Sequence, residues 1–169
     1  AILNPSSIMI SSGFLPTGTL VESIIHLSNE VISMEKIPSV QSKNVSTVIR
    51  RIKLLSSLFE DIQDANTPLP PSSILCLTEL FSVIRKVKLL IQECTEGSSL
   101  WLLIQTEMLS NQFHVLTKEM GRALDILPLS LMNLTADTRE QVELLHRQAK
   151  RVDAFLDPKE VERKERVLC

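Results

Sequence analysis

The chain has 169 residues and a mass of 19.0 kDa, and 44% of its residues are apolar, which excludes global disorder and permits one stable hydrophobic core. Its 18 Lys and Arg residues against 20 Asp and Glu residues give a net charge of −2, which lacks the basic excess that nucleic-acid binding requires, so we expect no nucleic-acid partner. Aromatic residues make up only 4%, and a chain with no Tyr and 4 Gly is not typical of β-sheet proteins, so we expect an all-α fold.

The first 18 residues form an uncharged arm, and the first charged residue of the chain is Glu22. Interspersed prolines, glycines and serines, with no preceding basic residue, exclude a secretory signal or a membrane span. We predict that the arm, residues 1–18, is flexible or docks onto the single domain at 19–169, where it caps an apolar groove. The apolar residues available for this contact include Ile2, Leu3, Ile8, Met9, Phe14 and Leu15.

After the arm, apolar residues recur at alternating spacings of three and four, which is the pattern of helices that bury one face. A first helix is predicted over 19–34, and a second helix ends at the prolines that begin with Pro68. Ser72 or Ser73 is the predicted cap of a third helix, which stops at Gly97. The inward positions of these helices are Leu20, Ile24, Leu27 and Val31, then Val45, Val48, Ile52, Leu55, Phe59 and Ile62, and finally Ile74, Leu77, Phe81, Ile84, Val87 and Ile91.

Two further long helices and a short one follow. Pro128 closes the fourth helix, and a capping box of Asp137 and Glu140 opens the fifth, with Thr135 as the competing cap. A short charged helix is predicted from Asp157 onwards. The inward positions of the two long helices are Leu109, Phe113, Leu116, Met120, Ala123 and Leu127, then Val142, Leu145, Ala149, Val152 and Leu156.

These helices predict an antiparallel bundle of four to five long helices with a short C-terminal helix, because the loops are short and no internal repeat of a solenoid is visible. The second and third helices have long buried stripes, so we expect them to form the central pair. Trp101, the single tryptophan, has apolar neighbours on both sides, and we predict that it is buried in the core rather than exposed to a partner.

The sequence contains no motif of a catalytic or cofactor site: with 4 Gly it has no phosphate-binding loop, and we predict no catalytic residue, no cofactor and no metal. The three histidines, His26, His114 and His146, lie on different predicted helices. His146 follows Glu143 by three residues and Glu140 by six, a spacing found in di-iron bundles, but such a site requires the motif twice. We therefore interpret His146 as a surface residue.

Basic residues cluster twice, as Arg50 and Arg51 on the second predicted helix and as Arg85 and Lys86 on the third. They are the candidate partner-binding residues, because such clusters can contact acidic groups or anionic lipid. The alternative is a solvated helix face whose side chains cover apolar edges, and this is the commoner role of such residues.

Three cysteines are present, and Cys76 and Cys94 fall on one predicted helix, about 27 Å apart along its axis, so they cannot form a disulfide. An odd number of cysteines with no metal-binding spacing predicts a reducing compartment. We expect the cytoplasm, with the nucleus or the periphery of the plasma membrane as alternatives. The chain does not begin with Met, and it ends just after a charged stretch, so we expect it to be part of a longer protein.

Four stretches of the sequence, residues 77–80, 96–105, 124–129 and 137–145, resemble in order and spacing the N-terminal helical domain that precedes the U-box in plant U-box ubiquitin ligases with armadillo repeats. The resemblance covers about residues 20–156. The residues that carry the structural motif of the family are Trp101, Leu102, Leu103, Pro128, Glu140 and Leu144.

The resemblance implies a protein-interaction and regulatory domain that does not itself transfer ubiquitin, because the family performs that step with the U-box, which is missing here. It implies protein partners, namely a ubiquitination substrate, a receptor-like kinase, an exocyst subunit or a pathogen effector, in immune and cell-death signalling. An alternative is a helical bundle that associates peripherally with membranes or anionic lipids. A free-standing enzyme is the third possibility, and it would need an uncommon site.

Overall fold

The computed structural model describes residues 17–34 and 36–169. Within this part of the chain there are seven α-helices, one 3-10 turn and no β-strand, which confirms the predicted all-α fold. The α-helices are α1 (Thr17–Ile32), α2 (Ser42–Ala65), α3 (Pro71–Glu96), α4 (Ser99–Ile104), α5 (Thr106–Asp125), α6 (Ala136–Arg151) and α7 (Pro158–Leu168). The 3-10 turn, Leu129–Leu131, lies between α5 and α6. Residues 1–16 of the predicted arm lie outside the described residues, and the last two residues assigned to it belong to α1.

Five of the helices surround one hydrophobic core. α1 packs against α2 and α3, α5 packs against α3 and α6, and α6 packs against α2, so the five form a closed ring. α2 and α3 lie on different sides of α1 and contact each other little, so the prediction that they form the central pair was wrong. Each has a long buried stripe because both face the shared core. The largest fully buried side chains include Phe59, Leu20, Ile24, Ile52, Leu55, Leu58, Leu77, Leu80, Ile84, Ile91, Leu102 and Leu109.

The predicted inward positions are buried with four exceptions. Ile74 and Phe81 of α3 are only partly buried, although they pack against the core. Val152 is also only partly buried, and Leu156 is exposed. Most positions that the apolar spacing predicted to face inward are therefore buried in the core.

α3 begins two or three residues earlier than predicted. Its first residue is Pro71, and Pro70 occupies the N-cap position without a side-chain hydrogen bond, so the prediction that Ser72 or Ser73 is the cap was wrong. The reason is that the first position of a helix requires no N–H donor, and the fixed φ of proline suits it. At its other end α3 stops at Gly97, as predicted.

The cap of α6 is the competing residue, Thr135. Its Oγ1 accepts a hydrogen bond from the N–H of Thr138 at 3.2 Å, and its backbone is extended, as an N-cap requires. Asp137 is already the second residue of the helix, so the prediction that it is the cap was wrong.

Both long C-terminal helices end earlier than predicted. α5 ends at Asp125, before Leu127, because the proline that follows Leu127 disfavours a helical conformation there. α6 ends at Arg151, so the prediction that its stripe continues through Val152 to Leu156 was wrong. Leu156 is 41% exposed.

The stretch from 152 to 157 instead crosses the first turns of α2 and α5. The carbonyl oxygen of Phe155 accepts a hydrogen bond from the side-chain amide of Asn44 at 3.2 Å and another from the hydroxyl of Ser110. Two side chains from two helices therefore hold this stretch in an extended conformation, and they compete with continuation of α6.

The block after Gly97 forms the short helix α4, in which the hydroxyl of Ser98 accepts a hydrogen bond from the N–H of Trp101 at 3.2 Å. Leu102 and Leu103 are buried, whereas Trp101 is 39% exposed, so the prediction that Trp101 belongs to the core was wrong. α4 is apolar on every side, and only Leu102 and Leu103 face the bundle.

α7 lies at the edge of the bundle, packed against α4. The carboxylate of Asp157 caps it by accepting a hydrogen bond from the N–H of Lys159 at 3.0 Å, so this helix begins where the sequence predicted. Glu160 is the one buried residue of α7, and burial raises the pKa of its carboxyl group. Glu160 is therefore the residue through which α7 reaches the buried part of the bundle.

The cysteines are free, as their spacing predicted. Cys76 and Cys94 are both buried in α3, and Cys169 is exposed beyond α7. Burial raises the pKa of each of the two α3 thiols to about 12.

Candidate functional site

The candidate partner-binding residues lie on different sides of α5. Arg51 of α2 is partly buried and donates an Nη1–H hydrogen bond to Oγ1 of Thr117 at 3.3 Å. Lys86 of α3 pairs with Glu119 at 3.4 Å. Thr117 and Glu119 are two positions apart on α5, which places them about 200° apart around the helix, so the structure does not bring the two basic clusters into one surface. The other two candidates are exposed: Arg50 and Arg85.

A groove runs along the surface between α3 and α5, and the ion pair of Lys86 with Glu119 crosses it. Its volume is about 410 Å³ on the side that Leu89 and Val115 line, and about 380 Å³ on the side that Leu75 lines. We call it the α3/α5 groove. Leu89 is 58% exposed, Leu75 is 50% exposed and Val115 is 42% exposed. Neighbouring exposed apolar residues of this kind are typical of interaction surfaces.

Exposed apolar side chains also occur on α4 and at the start of α5. Met108 lies seven residues before Val115, on the same face of α5, and is exposed. The exposed apolar residues of α4 are Leu100, Trp101 and Ile104. The groove therefore belongs to a longer stretch of chain that presents apolar side chains to solvent.

A second depression, of about 490 Å³, lies between the N-terminal half of α2, the middle of α5 and residues 152–155. We call it the α2/α5 cavity. Its ionisable lining residues are Lys43, Arg51, His114 and Asp153. Its apolar lining residues are Val48, Phe113, Val152 and Phe155. The cavity therefore combines charged groups with aromatic walls.

His146 contacts a carboxylate of the neighbouring helix. Its Nε2 lies 2.6 Å from Oδ1 of Asp125, and the same oxygen accepts a hydrogen bond from Nζ of Lys150 at 2.8 Å. The bonds from Lys150 and His146 hold the pKa of the Asp125 carboxyl below its usual range. Within residues 17–34 and 36–169, no group of three or more His, Cys, Asp and Glu side chains is placed to hold a metal ion.

Within the described residues, no helix combines the length and the apolar character that crossing a membrane requires.

The residues of the family motif fall into two groups. Leu102 and Leu103 are buried against the bundle, and Pro128 follows the end of α5. Glu140 and Leu144 are exposed on α6. The motif therefore contains both core positions and surface positions.

Arg51 and Lys86 line the two depressions and were predicted as candidate site residues, whereas Leu89, Val115 and His114 were not. Leu89 and Val115 could have been noticed, because they are apolar residues outside the predicted inward stripes. His114 gave no such signal, since its proximity to α2 depends on which helices become neighbours in the ring.

The fold defines an α-helical bundle domain with two surface depressions between its helices. The chain belongs to the family of PUB10-like N-terminal domains, because the model of that family matches residues 42–153. The resemblance to the N-terminal domains of plant U-box proteins is thereby confirmed. No solved structure matches the chain significantly.

Curated relatives are plant U-box proteins. The chain is 66% identical over 162 residues to U-box domain-containing protein 1 of Medicago truncatula, across 95% of this chain and 23% of that protein. It is 33% identical over 156 residues to U-box domain-containing protein 17 of Arabidopsis thaliana, across 82% of this chain and 21% of that protein. With U-box domain-containing protein 4 of Oryza sativa subsp. japonica the identity is 29% over 164 residues, across 92% of this chain and 22% of that protein. The chain thus spans less than a quarter of the length of these relatives.

Proposed function

We propose that the chain is the non-catalytic N-terminal interaction domain of a plant U-box ubiquitin ligase and that it recruits a protein for ubiquitination. Family membership supports the placement within a U-box protein. The observation that carries the recruiting role is the α3/α5 groove, where the exposed apolar side chains of Leu75, Leu89 and Val115 line a depression between two helices.

The occupant that fits the groove is an amphipathic helix of a protein partner. Leu75 and Leu89 are fourteen positions apart on α3, which corresponds to about 21 Å and to a partner helix of about four turns. Such a helix would place apolar side chains against Leu89 and Val115, at the spacing of one helix face. Glu93 lines the same part of the groove, so a basic side chain of the partner would complement it.

The partner classes remain those that the resemblance implies, and the location remains the one predicted from the cysteines. A receptor-like kinase, an exocyst subunit or a pathogen effector in immune or cell-death signalling would each supply a protein surface to this groove. We place the protein in the cytoplasm, in the nucleus or at the periphery of the plasma membrane.

Photo-crosslinking in the full-length ligase tests this proposal. A benzoylphenylalanine at position 115 should crosslink to a partner, whereas the same group at position 144, on the exposed face of α6, should not. Each partner identified in this way is then tested in a binding assay and in a ubiquitination assay with the Leu89→Glu and Val115→Glu variants.

We expect both variants to weaken partner binding and partner ubiquitination at least tenfold, because a carboxylate would be buried in the interface. Leu144→Glu, which changes an equally exposed leucine on α6, should leave both unchanged, and thermal unfolding checks that every variant is folded. Equal binding by the groove variants and by Leu144→Glu would refute the proposed surface.

Association with anionic lipid is the alternative function, and it would depend on Arg50, Arg51, Arg85 and Lys86. It has less support, because these residues lie on different sides of α5 and Lys86 already pairs with Glu119. We expect the chain not to float with vesicles that contain anionic lipid. Flotation that charge reversal at the four basic residues abolishes would favour the lipid function instead.

A further inference from the structure

We propose that the α2/α5 cavity binds a small organic oxyanion, in which a carboxylate or phosphate group is attached to an apolar group. The proposal concerns a different surface from the α3/α5 groove, and it does not depend on the recruiting role. It rests on a partly buried cation without a counter-ion, on an imidazole with one unpartnered nitrogen, and on the cavity that both residues line.

The first observation is the state of Arg51. Its guanidinium has five N–H donors, yet its one side-chain hydrogen bond in the described part of the chain goes to the neutral hydroxyl of Thr117, at 3.3 Å. No salt bridge among the described residues involves it. Burial and the neighbouring positive charge of Arg50 lower the pKa of Arg51. A partly buried cation without a counter-ion is costly, and an oxyanion would supply that counter-ion.

The second observation is the orphaned ring nitrogen of His114. Its Nδ1 is buried and has no hydrogen-bond partner among the described residues, which is uncommon in a folded protein. The ring lines the same cavity as Arg51. Because Nδ1 is buried, a ligand in the cavity could reach only Nε2, and a neutral imidazole that carries its proton on Nε2 can donate a hydrogen bond from there to an oxyanion.

The geometry brings these two groups to the same part of the cavity. His114 and Thr117 are three positions apart and therefore lie on one face of α5. Arg51 reaches across from α2 to bond with Thr117, so its guanidinium lies beside the turn that carries His114. An oxyanion placed there could accept hydrogen bonds from both helices at once.

The walls of the cavity suit the apolar part of such a ligand. Phe113 and Phe155 line it together with Val48, and its volume of about 490 Å³ lies within the range of small-molecule sites, roughly 300 to 1,000 Å³. Asp153 also lines the cavity, so it opposes ligands with several negative charges. Lys43 pairs with Asp157 at 3.6 Å, which leaves Arg51 as the main cation for a ligand with one anionic group.

Titration of the isotope-labelled chain with benzoate, phenyl phosphate and benzamide, followed by NMR, tests the proposal. Benzamide is the neutral isostere of benzoate, so it reports binding through the apolar walls alone. We expect benzoate, phenyl phosphate or both to shift the amide signals of Thr47, Phe113 and Thr117, with a dissociation constant at least tenfold lower than that of benzamide. The stronger of the two oxyanions identifies the group as a carboxylate or a phosphate.

Arg51→Gln should weaken oxyanion binding at least tenfold, whereas Arg50→Gln, which removes the exposed neighbouring charge, should leave it nearly unchanged. If Arg51→Gln does not fold, competition by inorganic phosphate against the stronger oxyanion provides the second measurement, and we expect it to displace that ligand. Benzamide binding as tightly as the oxyanions, shifts scattered over the surface, or unchanged binding by a folded Arg51→Gln variant would each overturn the proposal.

Discussion

The backbone N–H of Gln41 donates a bifurcated hydrogen bond to Oε1 and Oε2 of Glu160, which is 119 positions away in the chain, at 3.1 and 3.0 Å. Gln41 is itself buried, adopts a left-handed backbone with a φ of 67°, and donates a side-chain hydrogen bond to the carbonyl of Thr106 at 3.1 Å. Three parts of the chain therefore meet at this residue: the N-terminus of α2, the N-terminus of α5 and α7.

Glu160→Ala should detach α7 from the bundle, because it leaves the buried N–H of Gln41 without an acceptor. We expect the free energy of unfolding to fall by about 1–3 kcal/mol. Hydrogen exchange measured by mass spectrometry should become faster in α7, while the buried turns of α3 keep their protection. Glu162→Ala removes an exposed carboxylate of the same helix and is the control. Equal hydrogen exchange of α7 in the two variants would show that Glu160 does not hold α7 against the bundle.

The stability contributed by Glu160 should fall as the pH rises. Burial raises the pKa of this carboxyl group, and Asp157 acts in the same direction, whereas the bond from Gln41 and the charges of Arg163 and Lys43 oppose it. Between the ordinary and the raised value the folded protein holds more protons than the unfolded chain, so its stability decreases with increasing pH in that window.

Chemical denaturation from about pH 4 to about pH 7 checks this sign, with Glu160→Gln as the variant that cannot titrate. The free energy of unfolding of the native chain, minus that of Glu160→Gln, should become smaller as the pH rises. The other carboxylates contribute equally to both proteins, so their pH-dependent contributions to stability cancel in this difference. A difference that grows with pH would contradict the burial of Glu160.

The fluorescence of Trp101 should report a partly exposed side chain. Trp101 is the only tryptophan and the chain has no tyrosine, so the emission belongs to this residue alone. Because the side chain is 39% exposed, iodide should quench its emission with an efficiency between those of a buried indole and of free N-acetyltryptophanamide. Absence of quenching in the folded protein would show instead that Trp101 is buried in the core, as predicted from the sequence.

Gly121→Leu should destabilise the packing of α5 against α6. A Cβ atom at this position would lie 3.2 Å from Cβ of Ala149 and 3.3 Å from Cγ of Lys150, so a larger side chain must push the helices apart. We expect a loss of about 1–3 kcal/mol in urea denaturation. Gly18→Leu is the matched control in α1, since no atom of the described residues lies within 4 Å of its Cβ position, and its effect should stay within about 0.5 kcal/mol. Similar losses in both variants would contradict the close approach of the helices.

Most helix positions could be predicted because a single buried face repeats along each helix. The end of α6 could not be predicted in this way, since Val152 and Leu156 keep the spacing of three and four residues although they lie outside the helix. The bonds that hold this stretch reach Phe155 from side chains 111 and 45 positions away. A local pattern carries no information about such distant competitors.

The two depressions depend on the order of the helices around the core, which the chain order does not reveal. Arg51 and His114 line the same cavity because α5 lies close enough to α2 for Arg51 to bond with Thr117. Trp101 shows a different limit: α4 is apolar all round, so its periodicity gives no indication of which face turns inward.

The burial of Cys76 and Cys94 makes the chain suitable for labelling without any substitution. With pKa values of about 12, these thiols form almost no reactive thiolate at neutral pH, whereas Cys169 is exposed beyond α7. A maleimide dye would therefore attach at one native position. α7 packs against α4, which carries Trp101. If α7 detached from the bundle, the distance between Trp101 and a dye on Cys169 would increase, and energy transfer between them would decrease.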